Sequence, residues 1–382
     1  MGQQRPRHIK TAQMGHILLI FYVFLTVVEI LKWLFLYGRM EFPKKKVERT
    51  AVALPPISII VCARNEAENL AKNLPFLLDQ DFPDLEIIVV DDASTDGTRA
   101  VLEKFSSENH RLRPIFIEEK KLPGKKAALS AGIRQAKNEW LLLTDADCRP
   151  ASRVWAKKMA AHFSENKSIV LGFGPYRREA GFLNQWIRFE ACWTALQYFS
   201  MARVGMPYMG VGRNLAYRKS LFEKTGGFKK HLDLASGDDD LFVSETATKW
   251  NVATCLDPET FVFSDGKKTW RDYFQQKGRH FSTGKRYPWV SKMALGIAAL
   301  SHSLHYFLTL YLLITEASMV FVLICYLLRV SIVWFVWAKV LRRFREGDIQ
   351  PIAPVFDALI IPFHALFSPN IFFRINKIRP WT

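Results

Sequence analysis

Acidic residues directly follow an apolar segment in the middle of this 382-residue chain. In the stretch EWLLLTDADC, Asp145 and Asp147 stand one residue apart just after the apolar run 141–143. Two carboxylates at the end of a buried strand repel one another unless a cation or a hydrogen-bonding ligand lies between them. Because aspartate oxygens suit hard divalent ions, the pair predicts a Mg²⁺ or Mn²⁺ site with open positions for phosphate oxygens.

Two further apolar segments end in polar residues in the same way. ISIIVCA (Ile57–Ala63) leads into Arg64 and Glu66, and LEIIVVDD (Leu85–Asp92) ends in two acids. Apolar runs of this length are typical of buried strands of a parallel sheet. We expect further strands at 114–118 and 139–147.

Helical segments separate these strands. We expect helices over 65–78, 94–108 and 124–136, the second starting from a Ser/Thr/Asp cluster that can cap it. Strands alternating with helices predict right-handed βαβ units and a doubly wound α/β sheet. Such sheets bind ligands beyond the carboxyl ends of their strands, which is where the polar residues gather.

Seven motifs then follow one another in the order found in a known family. They are ISIIVCARNEAENL, IIVVDDASTDGT, GKKAAL, TDADC, GRNLAYRKSLFEKTGGF, SGDDDLF and QKGRH, over residues 56–286. On these motifs the chain resembles the family 2 glycosyltransferases of the GT-A fold. The resemblance implies a Rossmann-like nucleotide-sugar-binding domain, and the apolar segments described below add transmembrane helices on its N-terminal and C-terminal sides.

The resemblance also implies a set of donor-binding residues. The residues expected to hold a uridine are Ala63, Arg64, Glu66 and Asp92, whereas Asp91 braces the turn. Gly124 and Lys125 are expected near the diphosphate, although Lys125 could equally be a solvated lysine at a helix start. Asp145 and Asp147 match the D-x-D pair, with Asp147 as the more direct metal ligand.

The catalytic base is expected in the run SGDDDLF. The resemblance favours Asp239, with Asp238 as its rival, and leaves Asp240 open. Adjacent carboxylates raise the pKa of one another, which helps a base to accept a proton near neutral pH. A solvated acidic loop is the alternative interpretation.

Two other motifs concern the acceptor and the leaving group. In GRNLAYRKS, Asn214 is expected on the acceptor side, and a glycine turn that enters a helix is the structural alternative. In QQKGRH, Gln276 and Arg279 are in register with the Q-x-x-R-W signature, so Arg279 is expected at the diphosphate. His280 replaces the usual Trp, which leaves the acceptor open.

Apolar segments at both ends of the chain are long enough to cross a bilayer, which takes about 20 residues. They are Gly15–Gly38, Met293–Ile314 and Ser318–Val340, and a fourth apolar stretch, Ile352–Phe373, contains several prolines. We predict an anchor at 1–40, a basic linker at 41–55, a catalytic domain at 56–290 and a C-terminal membrane region at 291–382. The first segment is too long for the apolar part of a cleaved signal peptide.

The distribution of basic residues predicts the orientation. Lys and Arg are more frequent after the first span than before it, and RRFR follows the third span, which places the catalytic domain in the cytoplasm. The basic tail FRINKIRP favours a re-entrant or in-plane last segment over a full crossing. A bacterial inner or plasma membrane is the expected location.

The formal net charge of +17 calls for an anionic partner. Basic residues cluster beside the apolar spans, so anionic lipid headgroups are expected and nucleic acid is not. The five cysteines include no C-x-x-C pair, which argues against zinc and suits a reducing compartment.

The resemblance implies an inverting glycosyl transfer from a nucleotide sugar, a UDP sugar in particular, and the apolar spans suggest a lipid or glycan acceptor at the membrane. Aromatic and basic residues in 184–205 and 269–289 suit a membrane interface, with core packing as the alternative. A processive polysaccharide synthase stays open. So does a transporter with a cytoplasmic regulatory domain, which would use Arg329, His302 and His305. The plainer interpretation of those three is a partly buried or interfacial set, and that of Glu29 and Lys32 a self-neutralised pair near the interface.

Overall fold

The computed structural model describes residues 5–41, 54–120, 124–316 and 318–367. The basic linker predicted at 41–55 and the basic tail lie almost wholly outside these ranges. The chain divides into two compact units. One comprises the described parts of Met1–Lys44 and Trp289–Leu366, and the other those of Lys45–Pro288 and Phe367–Thr382.

The described strands all belong to the second unit. They are β1 (Ile57–Ala63), β2 (Leu85–Asp92), β3 (Leu112–Ile117), β4 (Trp140–Asp145), β5 (Arg149–Pro150), β6 (Ile169–Leu171), β7 (Leu215–Arg218), β8 (Val252–Thr254) and β9 (Val262–Phe263). Seven of them form one sheet in the order β3-β2-β1-β4-β7-β6-β8, and β5 pairs with β9.

The described helices are distributed over both units. They are α1 (Arg5–Leu31), α2 (Ala67–Leu78), α3 (Thr98–Glu108), α4 (Lys126–Gln135), α5 (Trp155–Ala160), α6 (Phe182–Arg203), α7 (Lys219–Lys224), α8 (Asp240–Thr246), α9 (Trp270–Phe281), α10 (Trp289–Ile314), α11 (Met319–Arg343) and α12 (Ala353–Ala365).

The first four strands are parallel, as their apolar runs predict. Both faces of β1 are buried, because α2, α3 and α5 cover one side and α4 covers the other. Helix α4 approaches very closely: a Cβ on Gly132 would lie 2.9 Å from Ile60 and Val90. This packing fixes where the loop before α4 meets the carboxyl ends of the strands.

The second half of the sheet is mixed. Strand β7 is antiparallel to β4 and to β6, whereas β6 and β8 are parallel to each other. The sequence did not indicate β7, because Leu215–Arg218 is only four residues long and lies inside a motif interpreted as a loop. The doubly wound parallel sheet is therefore confirmed for β1 to β4 only.

The first unit contains three helices long and apolar enough to cross a membrane: Met14–Met40, Trp289–Ile314 and Met319–Arg343. Tyr22 and Leu25 of α1 pack with Leu308 and Leu312 of α10. Helix α12 has 13 residues, which at about 1.5 Å per residue is shorter than the roughly 30 Å of a bilayer core. This length suits the predicted re-entrant or in-plane segment.

A buried polar cluster joins the helices of this unit. Arg329 lies 3.3 Å from Glu29 and 3.4 Å from Asp357, and it donates to Tyr306 Oη and His302 Nδ1. Arg329, Glu29 and Asp357 each have no exposed side-chain surface. Arg329 and His302 are therefore enclosed by neighbouring helices, which is a more complete burial than the partly buried set that the sequence predicts.

Lys32 and Glu29 do pair with each other, as the sequence indicates. However, Glu29 also accepts from Ser301 and Arg329, so the pair belongs to the buried cluster. His305 is buried beside it and bonds to Thr26.

Candidate functional site

The carboxyl ends of β1, β2 and β4 meet at one edge of the sheet. Strand β1 lies between the other two, with Ala63 opposite Asp91 and Cys62 opposite Asp145. The residues that follow these strands are therefore neighbours in space. The structure brings together the polar strand ends that the sequence placed at separate points of the chain.

The two acids of β2 have different partners. Asp91 Oδ1 accepts from the Ser94 N–H at 3.1 Å, which braces the turn as expected. Asp92 is buried and forms an ion pair with Lys120, which also donates to Gly124 O at 2.9 Å. Lys120 was not foreseen, because it comes from the loop after β3, and its pairing with Asp92 arises only in the folded chain.

The end of β1 presents both charges. Glu66 accepts from the Asn69 amide, and burial, together with the charges of Asp147 and Asp145, raises its pKa. Arg64 has two buried N–H groups, Nε and Nη1, without a hydrogen-bond partner among the described residues. Buried donors of this kind are normally satisfied, so they mark a place for a ligand's acceptor groups.

The two acids after β4 have different partners: Asp145 is ion-paired with a lysine, and Asp147 accepts from a thiol. Lys125 Nζ lies 2.7 Å from Asp145 Oδ1. Burial alone would raise the pKa of Asp145, but attraction to Lys125 outweighs it and the pKa is lowered. The pKa of Asp147 is raised by burial and by the charge of Asp145. A cation bound between these oxygens would lower the pKa of Asp147 and so offset the effects of burial and of the Asp145 charge.

Cys148 adds a sulfur to the same cluster. One ligand atom from each of Asp145, Asp147 and Cys148 lies within 4.8 Å of the others. The Cys148 thiol donates to Asp147 Oδ1 at 3.3 Å, and burial raises its pKa well above the usual value. Because the sulfur stays protonated, the donor set here is the two carboxylates, which suits a hard ion such as Mg²⁺ or Mn²⁺.

The three consecutive acids before α8 are separated by their contacts. Asp238 lies 3.1 Å from Lys125 Nζ. Asp240 accepts from Thr283 Oγ1 at 2.5 Å and from Tyr287 Oη at 2.8 Å, which ties it to the protein. Asp239 Oδ2 accepts from the Gly212 N–H at 2.7 Å. A Cβ on Gly212 would lie 3.2 Å from that oxygen, so glycine permits the approach.

Asp239 is the acid best suited to accept a proton. Burial, followed by repulsion from Asp238 and Asp240, raises its pKa to about 7. A carboxylate with this pKa is half protonated near neutral pH, which is the optimum for a general base there.

Residues 58–226 match the family model described as Glycosyl transferase family 2. This part of the chain is therefore similar to the family 2 glycosyltransferases. The matched segment includes Asp145 and Asp147 and ends before Asp238.

Two curated proteins are similar to this chain over about half of its length or more. Glycosyltransferase AglE of Haloferax volcanii is 29% identical over 193 residues, which are 48% of this chain and 59% of that protein. The probable glycosyltransferase YdaM of Bacillus subtilis is 25% identical over 254 residues, 61% of this chain and 56% of that protein. The chain thus spans less than two thirds of the length of these relatives.

A solved structure has a similar fold. The mannosyltransferase PcManGT from Pyrobaculum calidifontis, in complex with GDP-Man and Mn²⁺, superposes with a TM-score of 0.55 at 20% identity. The alignment covers 90% of this chain and 99% of that chain. The predicted GT-A fold is confirmed.

Helix α9 carries the three residues predicted from the QQKGRH motif. Gln276 Oε1 is buried and has no hydrogen-bond partner in the described part of the chain. Burial lowers the pKa of Arg279. The His280 side chain is exposed and lies within electrostatic reach of Asp145. The backbone of α9 also contacts the segment before the three acids, since Ser236 Oγ donates to Arg279 O at 3.5 Å.

Asn214 has a different environment from the one expected. Its side chain is fully buried, and its amide donates to Phe173 O at 2.8 Å and Thr260 O at 2.7 Å. Its Oδ1 accepts from Trp155 Nε1 at 3.1 Å. These contacts account for both N–H groups and one lone pair, so they favour a structural role for the side chain. The turn 212–214 leads into strand β7 and not directly into a helix, so the glycine turn differs from the predicted alternative.

Arg213 is a site residue that the sequence interpretation missed. Its guanidinium lies 4.3 Å from the centroid of the Tyr176 ring and donates to Ser264 Oγ. Its positive charge acts on both Asp145 and Asp147. In the sequence, Arg213 is marked only by its position directly before Asn214 in the GRN motif.

Proposed function

We propose that this chain is an inverting hexosyltransferase, which moves a sugar from a UDP sugar to a hydroxyl group of a membrane-associated acceptor. The observation that carries the proposal is the meeting of a paired acid site, Asp145 and Asp147, with a carboxylate of intermediate pKa, Asp239. Lys125 lies between the two groups, because it contacts Asp145 and also Asp238, the residue before Asp239.

The donor would be held along the edge of β1, β2 and β4. Asp92 and Glu66 offer acceptors for the N–H and hydroxyl groups of a uridine. Arg64 offers unfilled donors, and Gly124, Lys125 and Gln276 lie on the surrounding elements. The proposed diphosphate position is near Lys125 and Arg279, whose positive charges match its negative charge.

Asp147 and Asp145 would hold Mg²⁺ or Mn²⁺. When bound, such an ion neutralises negative charge on a diphosphate leaving group. The residues fit this ion because they supply two carboxylates in an environment that favours an added positive charge.

The chain's own residues would carry out the transfer as follows. Asp239 removes the proton from the acceptor hydroxyl, and that oxygen forms a bond to the anomeric carbon. The bond from the anomeric carbon to the diphosphate oxygen breaks, and its electron pair leaves with the diphosphate. Lys125 and Arg279 stabilise the charge that develops there, which is commonly the largest single contribution to such catalysis. General-base assistance is typically worth about 10²–10⁴-fold.

Purified full-length protein in detergent would be tested with UDP-glucose, UDP-N-acetylglucosamine and GDP-mannose, Mg²⁺ or Mn²⁺, and a membrane extract. Mass spectrometry of the products identifies the sugar, the acceptor and the number of sugars added. We expect Asp239→Asn to abolish transfer and to retain donor binding, and Asp147→Ala to weaken metal-dependent donor binding. Asp84→Asn, at the other end of β2, is the control because Asp84 is exposed. Failure to bind any sugar nucleotide in the presence of metal would refute the proposal.

The acceptor proposed is a glycolipid or a cell-envelope glycan, because the described residues include three helices long and apolar enough to cross a membrane. Products extended by many sugars would favour the processive synthase. The transporter alternative is less well supported, since Arg329 is buried among partners within the described residues. Flux in vesicles tests it directly.

We also propose that the catalytic domain, residues 56–290, faces the cytoplasm from a bacterial inner membrane. The exposed Lys137 provides a test. In a variant with Lys137→Cys, a membrane-impermeant maleimide should label inverted vesicles and spare intact cells. Labelling of intact cells would show that the catalytic domain faces the outside of the cell and would refute the proposed orientation.

A further inference from the structure

A buried lysine, Lys126, lies next to the site without any role in the proposed chemistry. It is the first residue of α4, and only 1% of its side-chain surface is exposed. Its ammonium group donates to two backbone carbonyl oxygens, His231 O at 2.5 Å and Leu234 O at 2.8 Å. A lysine this deeply buried is rare unless its charge is used.

The two carbonyls belong to the segment that leads to the catalytic base. We name residues 231–239 the base loop; it ends at Asp239, whose Oδ1 accepts from the Asp240 N–H and caps α8. Lys126 therefore bonds to the first half of the loop, and the acids lie in its second half.

The residues before Lys126 contact the same loop. Gly124 has a φ of +76°, and a Cβ at this position would lie 2.1 Å from Ala235 O. Lys125 Nζ lies 3.1 Å from Asp238. Three consecutive residues thus contact the base loop at three separate points, by close backbone packing, by an ion pair and by hydrogen bonds.

The side-chain contacts of His231, Asp233 and Ser236 in the base loop are long or exposed. His231 Nε2 lies 3.9 Å from Glu245 Oε1, and Ser236 Oγ lies 3.5 Å from Arg279 O. Asp233 pairs with Arg286 at 2.6 Å, but both side chains are about half exposed, and such pairs contribute little. Lys126 differs from these contacts because it is buried and donates to two carbonyl oxygens of the loop.

We propose that Lys126 is a positioning residue for Asp239: it fixes the base loop against the Gly124–Lys126 turn and so sets the base relative to the donor. This inference rests on the proposed function. The turn belongs to the donor side and the base loop to the acceptor side. Lys126 would therefore fix the position of Asp239 relative to the donor-binding residues. Displacing a catalytic group by about 1 Å can cost on the order of 10²-fold in rate.

The test compares two variants of Lys126. Lys126→Met keeps a side chain of similar length and removes the N–H donors, whereas Lys126→Gln keeps an N–H donor. Both are made in the full chain. We expect kcat to fall by about 10²-fold for Met and by less for Gln, while the Kd for the donor nucleotide stays within about twofold of wild type. Lys137→Met is the matched control, because Lys137 is an exposed lysine just after the same helix.

The pH profile separates positioning from mere stabilisation. Burial lowers the pKa of Lys126, and the nearby charges of Asp238, Asp240, Asp233 and Asp239 oppose this and favour its ammonium form. Removal of this positive charge should move the acid limb of kcat/KM to higher pH, which a loss of folded protein alone would not do.

Three outcomes would overturn the inference. Both variants could keep the wild-type kcat and acid limb. Donor affinity could fall in parallel with kcat, which would place Lys126 in donor binding. Both variants could lose their cooperative thermal transition, which would make the contact purely structural. If wild-type protein itself transfers no sugar, the proposed function fails instead, so the two failures are distinguishable.

Discussion

Lys125 Nζ lies 2.7 Å from Asp145 Oδ1 and 3.1 Å from Asp238 Oδ2. One ammonium group thus contacts the acid pair of the proposed metal site and the acids of the base loop. Attraction to Asp145, Asp238 and Asp239 outweighs burial and raises the pKa of Lys125 well above its usual value, so it remains charged. The donor side and the base side of the site are coupled through this cation.

This coupling predicts opposite effects of Lys125→Met on metal binding and on transfer. Loss of the nearby positive charge should tighten Mn²⁺ binding about tenfold, because Asp145 gains a free oxygen and a repulsion disappears. Transfer should fall, because the leaving diphosphate loses a stabilising charge. Mn²⁺ binding is measured by electron paramagnetic resonance without nucleotide, with Lys137→Met as the control. Weaker Mn²⁺ binding in the variant would contradict the assignment of Asp145 to the metal.

The pKa of Asp239 predicts the pH dependence of the reaction. Only the deprotonated base can accept a proton, so kcat/KM should fall as the pH drops through about 7. The charge of Asp238 contributes to this raised pKa, so Asp238→Asn should move the acid limb to lower pH. Asp233→Asn, an exposed acid of the base loop, should leave the limb in place. An unchanged limb in Asp238→Asn would assign it to another group.

The same raised pKa has a consequence for stability. Between the ordinary pKa of an aspartate and about 7, folded Asp239 binds more protons than the unfolded chain does, so stability falls as the pH rises through this range. Asp239→Asn removes this penalty. We expect its thermal midpoint to exceed that of wild type at pH 8, with the difference shrinking toward pH 5. A lower midpoint at pH 8 would show that the contact with Gly212 dominates.

The sequence predicted the strand ends well because they depend on local patterns. The apolar runs of β1, β2 and β4 define their own ends, and parallel pairing brings those ends together. Lys120 and Lys126 gave no such signal. Each lies in a loop or at a helix start, and its partners, Asp92 and the base loop, are set by tertiary packing.

The family pattern was least informative for Asn214. A motif preserves a residue type, and both a structural amide and a ligand-binding amide satisfy it. Only the contacts with Phe173, Thr260 and Trp155 distinguish the two.

Asn214→Ala should therefore destabilise the protein and leave acceptor recognition intact. The substitution removes the partners of two buried carbonyls and an indole N–H, and an unsatisfied buried group costs roughly 1–3 kcal/mol. The thermal midpoint measures this loss, and the acceptor KM of the folded protein should stay unchanged. Asn166→Ala, an exposed asparagine, is the control. A raised acceptor KM with an unchanged midpoint would restore Asn214 to the acceptor side.

The buried cluster of the first unit predicts a large effect of Arg329→Met. The change leaves Glu29 and Asp357 without their shared cation, and breaking a buried pair in this way costs about 3–5 kcal/mol. The thermal midpoint in detergent should fall sharply. Lys339→Met on the same helix should not lower it, because Lys339 is exposed. Adding Asp357→Asn to Arg329→Met removes one uncompensated charge and should restore part of the midpoint. If the double variant is no more stable than Arg329→Met alone, the ion pair with Asp357 does not hold α12 to the bundle.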